Sequence, residues 1–245
     1  MTLSRRLGWS FLLLALAPVG CFQSGDNVGS DMVDEQTVHQ SLHLTHHAAA
    51  DATQVFARFR VGGGGGTNLN LVPPSGVTAD GKAMTAQDGV VLSDTLPGRC
   101  YGVALDGFRP QVEVKFTGRS GTVYANTLRV ERADFEKDQA KEWSRSRGVT
   151  VPFAGPPLQE GESVVLSVEA DAAREGGPKT ATASASTPGA TAVTLRAEDL
   201  ARLANGGAKA AWVRMGTRPL QQATPTGGEL VSNYYSKPLA VTLVD

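Results

Sequence analysis

The stretch Val55-Phe56-Ala57-Arg58-Phe59-Arg60-Val61 alternates strictly, and it sets the expectation for the whole fold. Successive side chains of a β-strand point to opposite faces of the sheet. The odd-numbered positions, all apolar, therefore face inward, whereas Arg58 and Arg60 face outward. We predict a half-buried β-strand here.

Turn signals follow this strand. Five glycines occupy positions 62–66, and Thr67-Asn68-Leu69-Asn70-Leu71 continues as a second strand. No Lys-Ser or Lys-Thr pair comes directly after the glycines, so a phosphate-binding loop is excluded and a hairpin connection is predicted. Farther on, Ala79-Asp80-Gly81-Lys82 predicts a tight turn between two strands.

The same strand signal recurs to the end of the chain. The 28 glycines and 13 prolines suit a fold of many short strands with turns between them. A short helix is predicted at 198–204, with Leu200 and Leu203 facing the core. The further predicted strands are 100–105, 111–116, 122–130, 163–169, 192–195, 211–215 and 239–244.

A change of composition divides the chain. Residues 133–148 carry mixed charges with only Phe135 and Trp143 as large apolar side chains, which predicts a charged linker. It would separate a first β-sandwich domain, residues 39–132, from a second, residues 149–245. The Pro-rich entry 149–157, a Gly-Glu turn and the strand 163–169 resemble the opening of immunoglobulin-like or fibronectin-III-like domains. We therefore predict an all-β chain with two β-sandwich, immunoglobulin-like domains.

The N-terminus has the parts of an export signal. Arg5 and Arg6 precede an apolar run at 7–17, which is too short to span a membrane. Pro18-Val19-Gly20-Cys21 follows. It resembles the lipobox of bacterial lipoproteins, whose signal peptides are of type II, although Pro18 stands where Leu is usual.

This resemblance implies cleavage between Gly20 and Cys21, removing a signal peptide at 1–20. It further implies diacylglycerol on the Cys21 sulfur and an N-acyl chain on its amine, so that Cys21 holds the chain on membrane lipid. No other cofactor is expected. Phe22 replaces the Asp of the common inner-membrane retention signal. The expected location is the cell envelope, at the outer membrane if the cell is Gram-negative.

The segment after Cys21 is acidic. No Lys or Arg occurs between Phe22 and Ala57, and residues 23–30 are small and polar. Such composition predicts a flexible spacer, so we assign residues 21–38 to a lipidated acidic tether.

All four histidines, His39, His43, His46 and His47, lie within nine residues. On a helix, three of them would share a face at metal-binding spacing. On a strand, which the alternating sequence favours, His43 and His47 lie opposite His46. Three hypotheses follow: a solvated strand face, a metal site or a pH-responsive segment.

Catalytic signals are weak. The chain contains no His beyond position 47, and no nucleophile or zinc motif. Cys100 is predicted to be a buried structural thiol, and one of Tyr234 and Tyr235 to point outward. The net charge of −1 gives no basic surface for nucleic acid.

The sequence therefore favours a non-enzymatic binding or structural module that contacts an envelope protein or polysaccharide. The alternatives are a periplasmic metal-binding lipoprotein that uses the histidines and an envelope hydrolase that uses carboxylates only.

Overall fold

The structure is a computed structural model that describes residues 27–91, 97–173 and 176–245. The predicted signal peptide and the Gly20–Cys21 cleavage and lipidation point lie outside the described residues. Strands dominate, with one short helix and two 3-10 turns among the residues described. The prediction of an all-β, sandwich-like fold is confirmed.

Ten strands and two 3-10 turns form before residue 130. The 3-10 turns are Ser30–Met32 and Glu35–Thr37. The strands are β1 (Val28–Gly29), β2 (Val38–His47), β3 (Ala52–Val61), β4 (Thr67–Asn70), β5 (Gly76–Ala79), β6 (Lys82–Ala83), β7 (Thr85–Val91), β8 (Pro97–Asp106), β9 (Gln111–Thr117) and β10 (Val123–Arg129).

Nine strands and one helix follow. The helix is α1 (Ala197–Leu200), and it lies where acidic residues follow Arg196. The strands are β11 (Asp134–Phe135), β12 (Glu142–Ser144), β13 (Val149–Ala154), β14 (Glu162–Ala170), β15 (Thr180–Ala185), β16 (Ala192–Leu195), β17 (Gly206–Pro219), β18 (Gly228–Tyr235) and β19 (Leu239–Val244).

One large sheet runs through both halves of the chain. Its order is β1-β4-β3-β2-β18-β17-β14-β15, with β8 also beside β3 and β19 also beside β17. The halves meet where β2 pairs in parallel with β18, from Gln40 opposite Gly228 to His47 opposite Tyr235. We call this pairing the sheet seam.

Two smaller sheets cover the large one and enclose two cores. The sheet β10-β9-β5-β6 closes the first core, in which the rings of Phe59 and Phe116 lie 4.5 Å apart between centroids. The sheet β11-β13-β16 closes the second, in which Phe153 meets Trp212 edge-on at 5.8 Å. Each core is therefore a sandwich of the large sheet and a small one.

The predicted turns are confirmed. Residues 62–66 join β3 to β4, which pair antiparallel. Asp80 and Gly81 both have positive φ, 45° and 77°, between the paired strands β5 and β6. Positive φ at both central residues is what a two-residue hairpin of type I′ requires, and Asp-Gly supplies it at low cost.

The segment 28–38 is not a free spacer, although it was predicted to be the end of a flexible tether. β1 pairs in parallel with β4, and the Ser30 hydroxyl accepts a hydrogen bond from the Val72 amide at 2.8 Å. Hydrogen bonds that Ser120 donates to the Glu35 carboxylate lower the pKa of Glu35. These contacts dock the segment because its polar groups find partners in the first half.

The segment 133–148, predicted to be a charged linker, contributes to the second core. Ala133 and Trp143 are both buried in it, and the Trp143 indole donates to the Ala140 carbonyl at 2.7 Å. β12 pairs in parallel with β19. Most of its charged side chains face solvent, whereas Arg145 is largely buried and donates to the Leu203 carbonyl, and the few apolar side chains anchor the segment.

A buried ion pair lies where the end of the first half meets β17. Arg214 on β17 and Glu162 on β14 are both buried and lie 2.5 Å apart, and Arg218 also binds Glu162. Arg214 donates to the carbonyl oxygens of Arg132 and Pro156 as well. A buried guanidinium needs such partners, and here they tie the end of the first half to β17.

Candidate functional site at the junction

A cleft opens at the end of the sheet seam, between the two halves. Its cavity of about 410 Å³ falls within the range of small-molecule sites. Three regions form it: the β2–β3 turn, the segment that enters β11 and the connection from β18 to β19. We call it the junction cleft, and its lining residues are His46, Ala48, Asp51, Arg132, Asp134, Phe135, Glu136, Tyr234, Lys237, Pro238 and Leu239.

His46 forms the floor of the cleft. Its Nδ1 lies 3.0 Å from the Thr53 hydroxyl, which itself donates to the Gly107 carbonyl at 2.7 Å. Because the Thr53 proton is used, Nδ1 carries the imidazole hydrogen and Nε2 is left as an acceptor. Burial lowers the pKa of His46, and Arg132 lowers it further, against the opposing pull of Asp51. His46 is therefore neutral at pH 7.

Tyr234 links the two halves across the cleft. Its hydroxyl donates to Asp134 Oδ1 at 2.7 Å, and its ring stacks on His46 with 5.5 Å between centroids. Burial raises the pKa of Tyr234, and the Asp134 carboxylate raises it further. Tyr234 therefore stays a protonated donor, which fixes the orientation of the carboxylate.

Charges of both signs surround the opening. Asp51, Glu136, Arg132 and Lys237 are exposed at the rim. The Arg132 guanidinium lies 4.1 Å from the centroid of the Phe108 ring, a cation–π contact that holds it in place. The cleft thus offers carboxylate acceptors and cationic donors beside aromatic walls, an arrangement that suits a polar ligand with both donor and acceptor groups.

The four histidines do not come together. As predicted, they lie on a strand, and His46 lies on the face opposite His43 and His47. Residues four apart on a strand are about 13 Å apart, too far to share one metal ion. His43 is buried, contrary to the predicted solvated face. Across residues 27–91, 97–173 and 176–245, no three His, Cys, Asp or Glu side chains are grouped to hold a metal ion.

Other predicted residues behave as expected. Cys100 is buried, and burial raises the pKa of its thiol to about 11, so it remains protonated. Tyr234 is buried while Tyr235 faces outward, 39% exposed. Sequence reasoning missed Asp51, Arg132, Asp134 and Lys237, because they come from distant segments without a shared motif.

The comparisons with known proteins match this chain to solved structures alone. No model of a protein family matches the chain, and no curated protein matches it. A solved structure concerned with host cell surface retention of a 1.5-MDa bacterial ice-binding adhesin is similar at 15% identity and a TM-score of 0.22. The match covers 91% of this chain and 65% of that one. Among the described residues, no helix is long and apolar enough to cross a membrane.

Proposed function

We propose that the chain is a lipid-anchored, non-enzymatic binding module of the cell envelope, with the junction cleft as its ligand site. The cleft is the observation that carries this proposal. It combines a cavity of ligand size, a floor ordered by hydrogen bonds and charges of both signs at the rim. Sites of this kind are usually largely preformed.

The anchor rests on the lipobox resemblance at Cys21. Only seven residue steps separate Cys21 from Val28, and a chain extends at most ~3.5 Å per residue. The attachment would therefore keep the start of β1 within about 25 Å of the lipid. β2 then runs from Val38, beside the docked segment, to His47 at the cleft, a length of about 30 Å. The cleft, which His46 and Ala48 line, therefore lies at the opposite end of β2 from the docked segment that follows Cys21.

The ligand is expected to be a polar group of an envelope polysaccharide or protein. Hydroxyl and amide groups can donate to Asp51 and Asp134 and accept from Lys237. The alternatives of a metal-binding lipoprotein and a carboxylate-only hydrolase have no specific observation in their favour.

Labelled palmitate tests the anchor. Cells expressing wild type, Cys21→Ala and the matched control Cys100→Ala are compared for label and for membrane fractionation. Label and membrane association that vanish only in Cys21→Ala support the proposal. Unlabelled wild-type protein in the medium would overturn the anchor.

Retention on isolated envelope fractions tests the cleft. We expect Asp51→Lys to weaken retention about tenfold, because it reverses a charge at the rim. Glu198→Lys, an equal change at an exposed position outside the cleft, is the control and should bind as wild type. Equal retention of both variants would show that the cleft is not the site.

A further inference from the structure

On the side of the large sheet opposite the two cores, an area across the ends of β2 and β18 and the neighbouring strands β17, β14 and β15 is at least partly exposed, whereas His43 and Arg58 on the same side are buried. One cross-strand row on it runs through His47, Tyr235, Val213, Val165 and Ser184. Adjacent strands are ~4.8 Å apart, so the row extends over about 19 Å. We call this row, together with the neighbouring row through Thr45, Asn233, Met215 and Ser163, the outer face.

The neighbouring row runs through Thr45, Asn233, Met215 and Ser163. None of the nine side chains in the two rows is an acid, Lys or Arg, in a chain with 23 Lys and Arg and 24 Asp and Glu. Burial also lowers the pKa of His47, which keeps its imidazole neutral at pH 7. Charged residues return beyond the rows, where Glu169 lies opposite Lys209. The outer face is therefore part of an uncharged area of the sheet.

An aromatic and an apolar side chain stand exposed near the centre of the outer face. Tyr235 is 39% exposed and Met215 is 38% exposed, and they occupy diagonal positions on the neighbouring strands β18 and β17. The Tyr235 ring stacks on His47 at 4.7 Å, with 10° between the planes. This cross-strand stacking holds the Tyr235 ring in a defined orientation.

We propose that the outer face binds a neutral polysaccharide chain. Hydroxyl and amide side chains such as Thr45, Ser163 and Asn233 both donate and accept hydrogen bonds without charge, as sugar hydroxyls do. The Tyr235 ring supplies an apolar surface with a polar tip for a sugar ring. The longer row, about 19 Å from His47 to Ser184, gives a length that fits an extended polymer.

Other occupants fit the outer face less well. Two rows about 19 Å long and ~7 Å apart cover about 130 Å², whereas a stable protein interface needs ~800 Å² per partner. A nucleic acid or another polyanion would find no cation in either row. The small area thus disfavours a second copy of this chain, and the absence of charge favours a neutral sugar polymer over an anionic one.

Isothermal titration of the full chain in detergent micelles tests this inference. The probes are maltohexaose, cellohexaose and mannohexaose, with an anionic alginate hexasaccharide for comparison. We expect at least one neutral hexasaccharide to bind more tightly than the alginate. Tyr235→Ala should weaken that binding at least tenfold, and Tyr235→Phe should retain most of it because the ring remains.

Control measurements distinguish the outer face from the junction cleft, and a loss of binding from a loss of folding. Met32→Ala alters an exposed side chain outside the outer face and should bind as wild type, and unchanged thermal melting would show that Tyr235→Ala is folded. Asp51→Lys should also bind as wild type, so a failed cleft would leave this inference standing. Binding by no neutral hexasaccharide, or equal binding by wild type and Tyr235→Ala, would overturn it. So would a dimer that Tyr235→Ala dissociates, because the occupant would then be a second copy.

Discussion

The sheet seam and the junction cleft lie along the same two strands, yet one is closed and the other open. In the seam, eight residues of β2 face eight of β18 through backbone pairing. At the cleft, beyond Tyr235 and His47, the two strands end and side chains from three segments surround a cavity. Backbone pairing thus sets the positions of the halves, which leaves the side chains of the cleft available for a ligand.

The buried ion pair between Glu162 and Arg214 is where we expect a single substitution to cost the most stability. Glu162→Ala leaves the buried Arg214 without its carboxylate, and breaking a buried pair costs about 3–5 kcal/mol. Urea denaturation measures this loss. Glu198→Ala removes an exposed pair with Arg196 and should cost under about 1 kcal/mol. Equal losses in the two variants would mean that the buried pair contributes no more stability than the exposed one.

Core truncations on either side of the seam test whether the halves unfold together. Leu42→Ala in the first core and Leu166→Ala in the second should each lower the free energy of unfolding by about 2–5 kcal/mol, because each leaves a cavity in a packed interior. If the continuous sheet couples the cores, each variant shifts one shared transition in urea. Two transitions, with only one shifted by each variant, would contradict the coupling.

Loss of the hydrogen bond between Tyr234 and Asp134 in the cleft should reduce the stability of the fold by a smaller amount. Tyr234→Phe removes the hydrogen bond to Asp134, and a bond to a charged group contributes about 1.5 kcal/mol or somewhat more. Tyr235→Phe is the matched control on the exposed neighbour and should change stability by less than about 0.5 kcal/mol. Thermal or urea unfolding distinguishes the two, and equal stability would show that the Tyr234 bond contributes nothing.

Local sequence pattern predicted much of this fold. Alternation at 55–61 correctly identified the buried face of β3, because side chains on a strand alternate whatever its neighbours are. It failed for Arg58 and Arg60, which are buried although they lie on the predicted outward face. Whether an outward face meets water depends on what covers it, and that comes from distant segments.

The site was harder to predict for the same reason. Of the predicted candidates, His46 lines the cleft while His39, His43 and His47 do not. The cleft depends on the parallel pairing of β2 with β18, strands separated by roughly 180 residues, which no local pattern encodes. Asp134 and Lys237 carry no signal of their own until that pairing brings them near His46.

The smallest expected effect is a dependence of stability on pH. The pKa of His46 is lowered in the folded chain, chiefly by burial, so below about pH 6.5 the unfolded chain binds more protons than the folded one. Stability should therefore fall as the pH drops through and below that value. Urea midpoints at pH 7.5 and 5.5 measure the fall. His46→Gln should reduce it, and an unchanged fall would assign the effect to other groups, such as His39 and His47, whose pKa values are also lowered.

Amide hydrogen exchange along β2 and β18 tests the sheet seam most directly. The seam predicts that the paired amides of Leu42, Leu44, Val231 and Asn233 are protected as strongly as those in the middle of β14 and β17. Exchange of β18 amides at the rate of exposed loops, while β14 and β17 stay protected, would contradict it. The halves would then be separate bodies, and the cleft between them would not be a preformed site.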